Sequence, residues 1–210
     1  MTVKQVNKII DNLRKNNKCF VSERHLQVSF AIELFKLINN CRLYPEFVFA
    51  DKNNIHIDLI AYIGNKKIAF EFKYITCYFE DIVNGMHIKL RNHSAIDVRR
   101  YDCLSDISRL EKLKLDNDID EGYLYLVTNM KGFWSEKGNN KDTVDADFRF
   151  NNKITKGTKR WSEKASKGTI KHRDKLIKIN SDYNVKFENY YSFETGYGHR
   201  EFKQLLIKIK

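Results

Sequence analysis

Proline is almost missing from this sequence: Pro45 is the single example in 210 residues, and glycine is sparse at nine. No Pro-rich or Gly/Ser-rich linker divides the chain, and no internal repeat runs through it, so one domain is expected. Cysteine is equally uninformative as a scaffold. Cys19, Cys41, Cys77 and Cys103 are scattered, and no two form the close pair a zinc site wants. A disulfide framework would suit a smaller secreted chain, so four free, buried thiols are expected. No apolar run is long enough for a membrane helix, and the residues after Met1-Thr2-Val3-Lys4-Gln5 lack a signal-peptide core. A cytoplasmic protein with no membrane partner is the expectation. A Gly-rich phosphate loop is absent, which argues against a nucleotide-driven motor or a kinase. The Gly-x-Ser-x-Gly elbow of an ordinary esterase is absent too. None of the six histidines forms HExxH or another close ligand pair.

What the sequence has in excess is positive charge. The formal net charge is +11, in a chain that is 31% charged and 42% hydrophobic, a globular rather than a disordered composition. From Arg149 to Lys178 there are eleven Lys/Arg against two acids, Glu163 and Asp174. A basic segment this concentrated is the footprint of a polyanion partner. The bland alternative is a solvated lysine-rich surface.

Periodicity gives the elements. Val3, Val6, Ile9, Ile10 and Leu13 mark a short amphipathic helix over 3–16. Ser22 is a candidate N-cap for a second helix, with Glu23 in its first turn and Leu26, Phe30, Leu34 and Leu37 at helical spacing. Pro45 breaks the pattern, and 47–49 suggest a first strand. Residues 55–62 and 67–74 alternate as two strands around the turn signal Gly64-Asn65. Residues 95–115 read as a helix and 123–129 as a strand too apolar to be half exposed. Beyond Phe133-Trp134 the pattern weakens into loops and short strands until a last strand near 204–210. The predicted class is α/β (α+β): a central mixed β-sheet flanked by helices. The core is placed at about residues 17–130, with a basic extension over 131–210 packed on it.

The hairpin carries the chemistry. If Gly64-Asn65 are its loop, Ile63 pairs with Lys66 and Asp58 falls opposite Glu71. A turn two residues later would put Asp58 opposite Lys73. The parity is the same either way, so Asp58, Glu71 and Lys73 share one face, while Ile57, Leu59, Phe70 and Phe72 take the other. Two acids side by side in an apolar hairpin repel each other. A divalent cation removes that cost, and Mg²⁺ takes one or two carboxylates while keeping waters for a phosphate to displace. A lysine beside it can position or help deprotonate water, or offset charge on phosphate. These are the parts of phosphodiester hydrolysis. A second triplet, Glu201-Phe202-Lys203, has no facing aspartate upstream and is read as a solvated strand end.

The pattern Asp58…Glu71-Phe72-Lys73, an aspartate, a strand turn and Glu-x-Lys on the next strand, resembles the signature of the PD-(D/E)XK nuclease superfamily. Ile57 stands where the name has proline, a position that varies. The order helix, hairpin, helix, strand is similar to that family's core. The segments 101–111 and 122–129 resemble those of a group of small bacterial members. The resemblance implies a restriction-endonuclease-like fold and a Mg²⁺-dependent deoxyribonuclease, with Mn²⁺ able to substitute. It implies an endonuclease of restriction, defence or repair. Asp58 and Glu71 would be metal ligands, with the Phe72 carbonyl as a further donor, and Lys73 the catalytic cation. Glu23, on the preceding helix, looks like the auxiliary carboxylate of that family.

Other residues are weighed for nucleic-acid contact. Gln27 lies one turn from Glu23, where it could orient water or phosphate or merely join a polar patch. Arg99 and Arg100 on the predicted third helix are expected to face substrate, and Arg109 could equally pair with nearby acids. Lys159, Arg160, Lys171 and Arg173 suit backbone contacts, with Trp161 as a stacking group or a core anchor. Glu33 is expected to be solvated, and His56 to be structural. The partner is expected to be DNA rather than RNA, with a homodimer left open. The competing class is a nucleic-acid-binding protein that keeps the fold without chemistry.

Overall fold

The computed structural model describes residues 1–52, 54–93, 95–135, 143–150 and 152–210. Residues 136–142 and 151 of the expected C-terminal extension thus lie outside the described residues. Two helices open the chain, α1 (Val3–Asn16) and α2 (Glu23–Leu37). Strands β1 (Arg42–Phe49), β2 (Ile55–Ile63) and β3 (Lys66–Ile75) follow, then a hairpin of β4 (Phe79–Val83) and β5 (Met86–Leu90). The long helix α3 (Ile96–Leu115) leads to β6 (Glu121–Thr128). Short elements come next: β7 (Lys153–Ile154), β8 (Gly157–Lys159), α4 (Lys167–Ile170), β9 (Ile177–Ile179) and β10 (Tyr183–Asn184). The chain ends with β11 (Glu188–Ser192), β12 (Tyr197–Gly198) and β13 (Glu201–Lys208).

Helix boundaries follow local chemistry. Thr2 and Gln5 form a reciprocal capping box at the start of α1, and the apolar stripe Val6, Ile9, Ile10 and Leu13 is buried. The Ser22 hydroxyl accepts the His25 N–H at 3.1 Å and starts α2, which puts Glu23 in the first turn as expected. Glu33 departs from its expected solvation. It is buried, and its carboxylate takes bonds from Asn12, Asn16 and Lys36, so it ties α1 to α2.

Six strands form the central sheet in the order β1-β2-β3-β6-β13-β11. All neighbours are antiparallel except β3 and β6, which run parallel through the crossover that contains α3. The sheet is therefore mixed, with helices on both faces. Leu59, Phe70, Phe72, Tyr123 and Tyr125 face α1 and α2, where Phe30 packs against both phenylalanines with ring centroids 5.0 Å apart. Ile60, Ala69, Leu124 and Leu126 face α3. Truncating Phe30 or Phe72 to alanine should cost about 3–5 kcal/mol. No helix of the described residues is long and apolar enough to cross a membrane.

Three expectations need correcting. Pro45 does not precede the first strand but lies inside β1, paired with Leu59; β1 is an edge strand, where a missing N–H is tolerated. The core does not end near residue 130, because β13 and β11 complete the central sheet and Phe148, Ile154 and Ile177 are buried in that core. Ile57 packs on the α3 side with Ile60, away from Leu59, at the point where β2 parts from β3.

Candidate active site

The Gly64-Asn65 turn sets the register, with Ile63 opposite Lys66 and pairing continuous to Leu59 opposite Phe70. The next pair would be Asp58 with Glu71, and there the ladder stops. The cause is a side chain in place of a strand: Asp58 Oδ2 accepts the Phe72 N–H at 2.7 Å. β2 stays with β1, whose Glu46 lies opposite Asp58 between the pairs Pro45–Leu59 and Phe47–Ile57. Glu46 has φ +51°, a left-handed conformation that costs a non-glycine residue roughly 1–2 kcal/mol. Its carboxylate meets Arg24 of α2 at 3.2 Å.

The freed edge of β3 is capped group by group. The Tyr74 N–H donates to Glu23 Oε2 at 2.8 Å, which brings the first turn of α2 to the strand. The Thr76 N–H donates to His93 Nδ1 at 3.1 Å, and the His93 N–H returns a bond to the Thr76 carbonyl at 2.6 Å. Three successive outward N–H groups thus end on side-chain acceptors from three different segments. The N–H and C=O of one strand residue point the same way, so the Phe72 carbonyl lies on this edge as well.

Glu71 and Lys73 project from the other parity of β3, toward α3. Glu71 is 2% exposed, and Oε1 accepts two bonds from Arg109, from Nε at 3.0 Å and Nη2 at 2.6 Å. The same Nη2 reaches Asp106 Oδ1 at 2.6 Å. The Lys73 ammonium lies 2.6 Å from Asp106 Oδ2, an ion pair by distance, although that oxygen receives no well-angled hydrogen bond. Asp106 and Arg109 sit one turn apart on α3, so the helix supplies an acid and a base to one spot.

Burial pushes the Glu71 carboxyl well above the usual glutamate range, with Asp106 adding to the push and Arg109 opposing it. Burial also raises Glu23, against the pull of Lys73 and the Tyr74 N–H. For Lys73, burial would lower the pKa, but Asp106 and Glu23 outweigh it and hold the ammonium protonated. Four carboxyl groups, Glu23, Asp58, Glu71 and Asp106, thus face two cations, Lys73 and Arg109.

That imbalance, two formal negative charges when all are ionised, is what a divalent cation would offset. Three of the acids are also anchored through one oxygen each, Asp58 Oδ2, Glu23 Oε2 and Glu71 Oε1. Among the described residues no hydrogen bond is recorded to their second oxygens. Among the described residues no three or more His, Cys, Asp or Glu side chains are grouped so that together they could hold a metal ion. Mg²⁺ does not need such a group, since it binds through one or two carboxylates and keeps its waters. Carboxylate oxygens and a backbone carbonyl are the kind of donor that Mg²⁺ takes.

The site opens on a cleft of 760 Å³ lined by Glu23, Lys73, Asp106 and Arg109, among others. Its walls hold six Lys/Arg residues (Lys73, Lys89, Arg91, Arg99, Arg109 and Arg173) against three acids. Asp58 and Glu71 lie beyond the lining. Of the residues singled out in the sequence, Arg99 lines the cleft and pairs with Asp102 at 3.7 Å. Arg173 lines it too, gripping Asp102 through two nitrogens at 2.7 and 3.1 Å. Gln27 is half-buried on α2 and does not line the cleft. Lys159 bonds Thr155, while Arg160 and Lys171 are exposed; none of the three reaches the cleft.

Arg100 requires a correction: it does not face a substrate. It is buried beneath Phe133, paired with Asp145 and bonded to the Gly132 carbonyl at 2.5 Å. Trp161 is a core anchor, edge-on to Phe148 and stacked on Tyr101, with its indole N–H on the Arg173 carbonyl. Sequence reasoning missed Asp106, Lys89, Arg91 and His93. A signal existed for the first: Arg99, Asp102, Asp106 and Arg109 recur at helical spacing on a single stripe. In the second triplet, Lys203 pairs with its own Glu201 at 2.6 Å at the start of β13. No family model, curated protein or solved structure matches the chain.

Proposed function

We propose that the protein is a Mg²⁺-dependent phosphodiesterase acting on nucleic acid, a DNA endonuclease of the PD-(D/E)XK kind. The observation that carries the reading is that Asp58 and Glu23, on the strand edge that β2 vacates, adjoin Glu71 and Lys73, which project from the face of β3 toward α3 beneath a basic cleft. The parallel pairing of β3 with β6 across α3 supports the resemblance in fold order.

Asp58 and Glu71 would hold the ion, with Glu23 and the Phe72 carbonyl as auxiliary donors. When bound, Mg²⁺ supplies charge stabilisation at a phosphate oxygen and a more acidic water. The backbone N–H bonds to Asp58 and Glu23 fix those carboxylates before any ligand arrives, which is the preorganisation such sites need. Lys73 stays protonated beside Asp106, so its role is to donate to a phosphate or water oxygen rather than to accept a proton. Arg99, Arg109 and Arg173 offer planar donors matched to phosphate oxygens.

The test is cleavage of supercoiled plasmid with Mg²⁺ or with EDTA, by the wild type and by Lys73→Ala. Metal-dependent nicking or linearisation that disappears in the variant supports the nuclease. Equal activity in the variant rejects this site. A second reading, binding without hydrolysis, draws on the Arg109 guanidinium that already neutralises Glu71. It expects salt-sensitive binding and no cleavage of plasmid, single strands or RNA.

A further inference from the structure

A small sheet stands outside the central one, with strand order β12-β4-β5. Its inner side is ordinary core: Phe79, Val83, Ile88 and Leu90 are buried among the residues under α1 and α2. Its outer side is not. Tyr197 is 76% exposed and Ile82 70%, with Tyr78 exposed on the same side. Apolar and aromatic side chains grouped on a solvent face mark a contact surface.

The polar groups on this side are arranged to leave the rings usable. Glu80, which pairs across the ladder with Lys89 and with Tyr197, is the acid at its centre. His87 Nε2 at 2.8 Å, Lys89 Nζ at 3.1 Å and the Tyr78 hydroxyl all engage its carboxylate, so it presents little free charge. Lys89 Nζ also lies 5.9 Å from the centre of the Tyr78 ring. Gly198, at φ +88°, lets β12 approach closely enough that a Cβ there would fall 2.1 Å from the Tyr78 carbonyl oxygen. That approach sets Tyr197 and Tyr78 on the same patch.

The patch is continuous with the cleft. Lys89 belongs to both, and Leu90 and Arg91 carry β5 and its continuation along the cleft wall toward Lys73. Six cations against three acids suit a phosphate backbone inside, while exposed tyrosines suit bases outside. A duplex keeps its base faces stacked on one another and cannot offer them to tyrosine. We propose that the outer side of the β12-β4-β5 sheet is a stacking platform for unpaired bases, and that the ligand of the cleft is single-stranded nucleic acid. This rests on the nucleic-acid part of the proposed function and not on hydrolysis.

The test is fluorescence anisotropy in EDTA, at fixed salt, with a labelled oligothymidylate and a labelled duplex of the same length. The wild type should bind the single strand more tightly. Tyr197→Ala and Tyr78→Ala should each weaken single-strand binding on the order of tenfold, while Tyr197→Phe and Tyr78→Phe retain it. Both side chains are exposed, and circular dichroism confirms that the variants fold. Tighter duplex binding, or alanine variants that bind like the wild type, overturns the platform. Plasmid cleavage without tyrosine dependence would leave the nuclease standing and remove the platform; tyrosine-dependent binding without cleavage would do the reverse.

Discussion

Arg109 donates two hydrogen bonds to one oxygen of Glu71, Oε1, rather than bridging the two carboxylate oxygens. The fork that normally matches a carboxylate edge is turned, because Nη2 also serves Asp106. Glu71 is therefore neutralised but not enclosed, and the protein carries a buried acid whose charge depends on a neighbour on another element.

Stability should record that arrangement as a function of pH. Folded Glu71 keeps its proton to higher pH than the ordinary value of 4.5, chiefly because of burial. Its contribution is full below that ordinary value and is lost as pH rises through the elevated one. Glu23 runs the same way. Glu121 runs oppositely: against burial, bonds from Lys66 and Tyr123 hold it down at about 2, so its contribution disappears as pH falls toward that value. Urea midpoints of the wild type should decline between weakly acidic and weakly basic pH. Glu71→Gln should flatten the decline and abolish plasmid cleavage. An unchanged slope in that variant would show that Glu71 does not carry the effect.

Asp58 has a structural duty separable from its chemical one. Asp58→Asn keeps an oxygen for the Phe72 N–H but removes the charge, so it should lose cleavage with little change in stability. Asp58→Ala strands that N–H and should cost about 1–3 kcal/mol as well. Urea unfolding of the two variants, beside the plasmid assay, separates the duties. Equal destabilisation of both would mean that the side chain is held by charge rather than by the bond.

Arginine and lysine positions should divide by burial. Arg100→Ala removes the nearer of two arginines from the buried Asp145, leaving Arg149 at 3.8 Å, and should destabilise by about 1.5–3 kcal/mol, the worth of hydrogen bonds to a charged group. Lys171→Ala and Arg160→Ala, at exposed positions, should leave stability alone. If the basic segment tracks a nucleic-acid backbone, each should reduce the salt dependence of binding by about one phosphate contact. An unchanged salt slope would confine recognition to the cleft and to Arg173.

Much of this fold was readable because its punctuation is local. Gly64-Asn65 fixed the register from Ile63 opposite Lys66 to Leu59 opposite Phe70, and Ser22 placed Glu23 in the first turn of α2; the expected facing of Asp58 and Glu71 does not form, because Asp58 turns to the Phe72 N–H instead. The β4–β5 hairpin escaped notice although Asn84-Gly85 is a strong hairpin turn. Its flanking residues do not alternate by polarity, because Ile82 and Met86 are apolar and face solvent. Asp106 and Arg109 were hidden for a different reason. Their spacing shows a shared stripe, but only the crossover from β3 to β6 decides that the stripe faces Glu71 and Lys73. Arg100, next to Arg99 in sequence, shows the limit of charge as a guide: one helical step takes it from the cleft into the core.

The three side-chain acceptors on the edge of β3 have a consequence outside chemistry. An uncapped strand edge is a template on which another chain can add a strand. Asp58, Glu23 and His93 occupy the donors that such a strand would use, so they keep the protein from joining sheets with its neighbours. Substitutions at Asp58 or Glu23 that remove the acceptor should therefore lower solubility along with activity, and self-association of the folded variants would report an opened sheet edge.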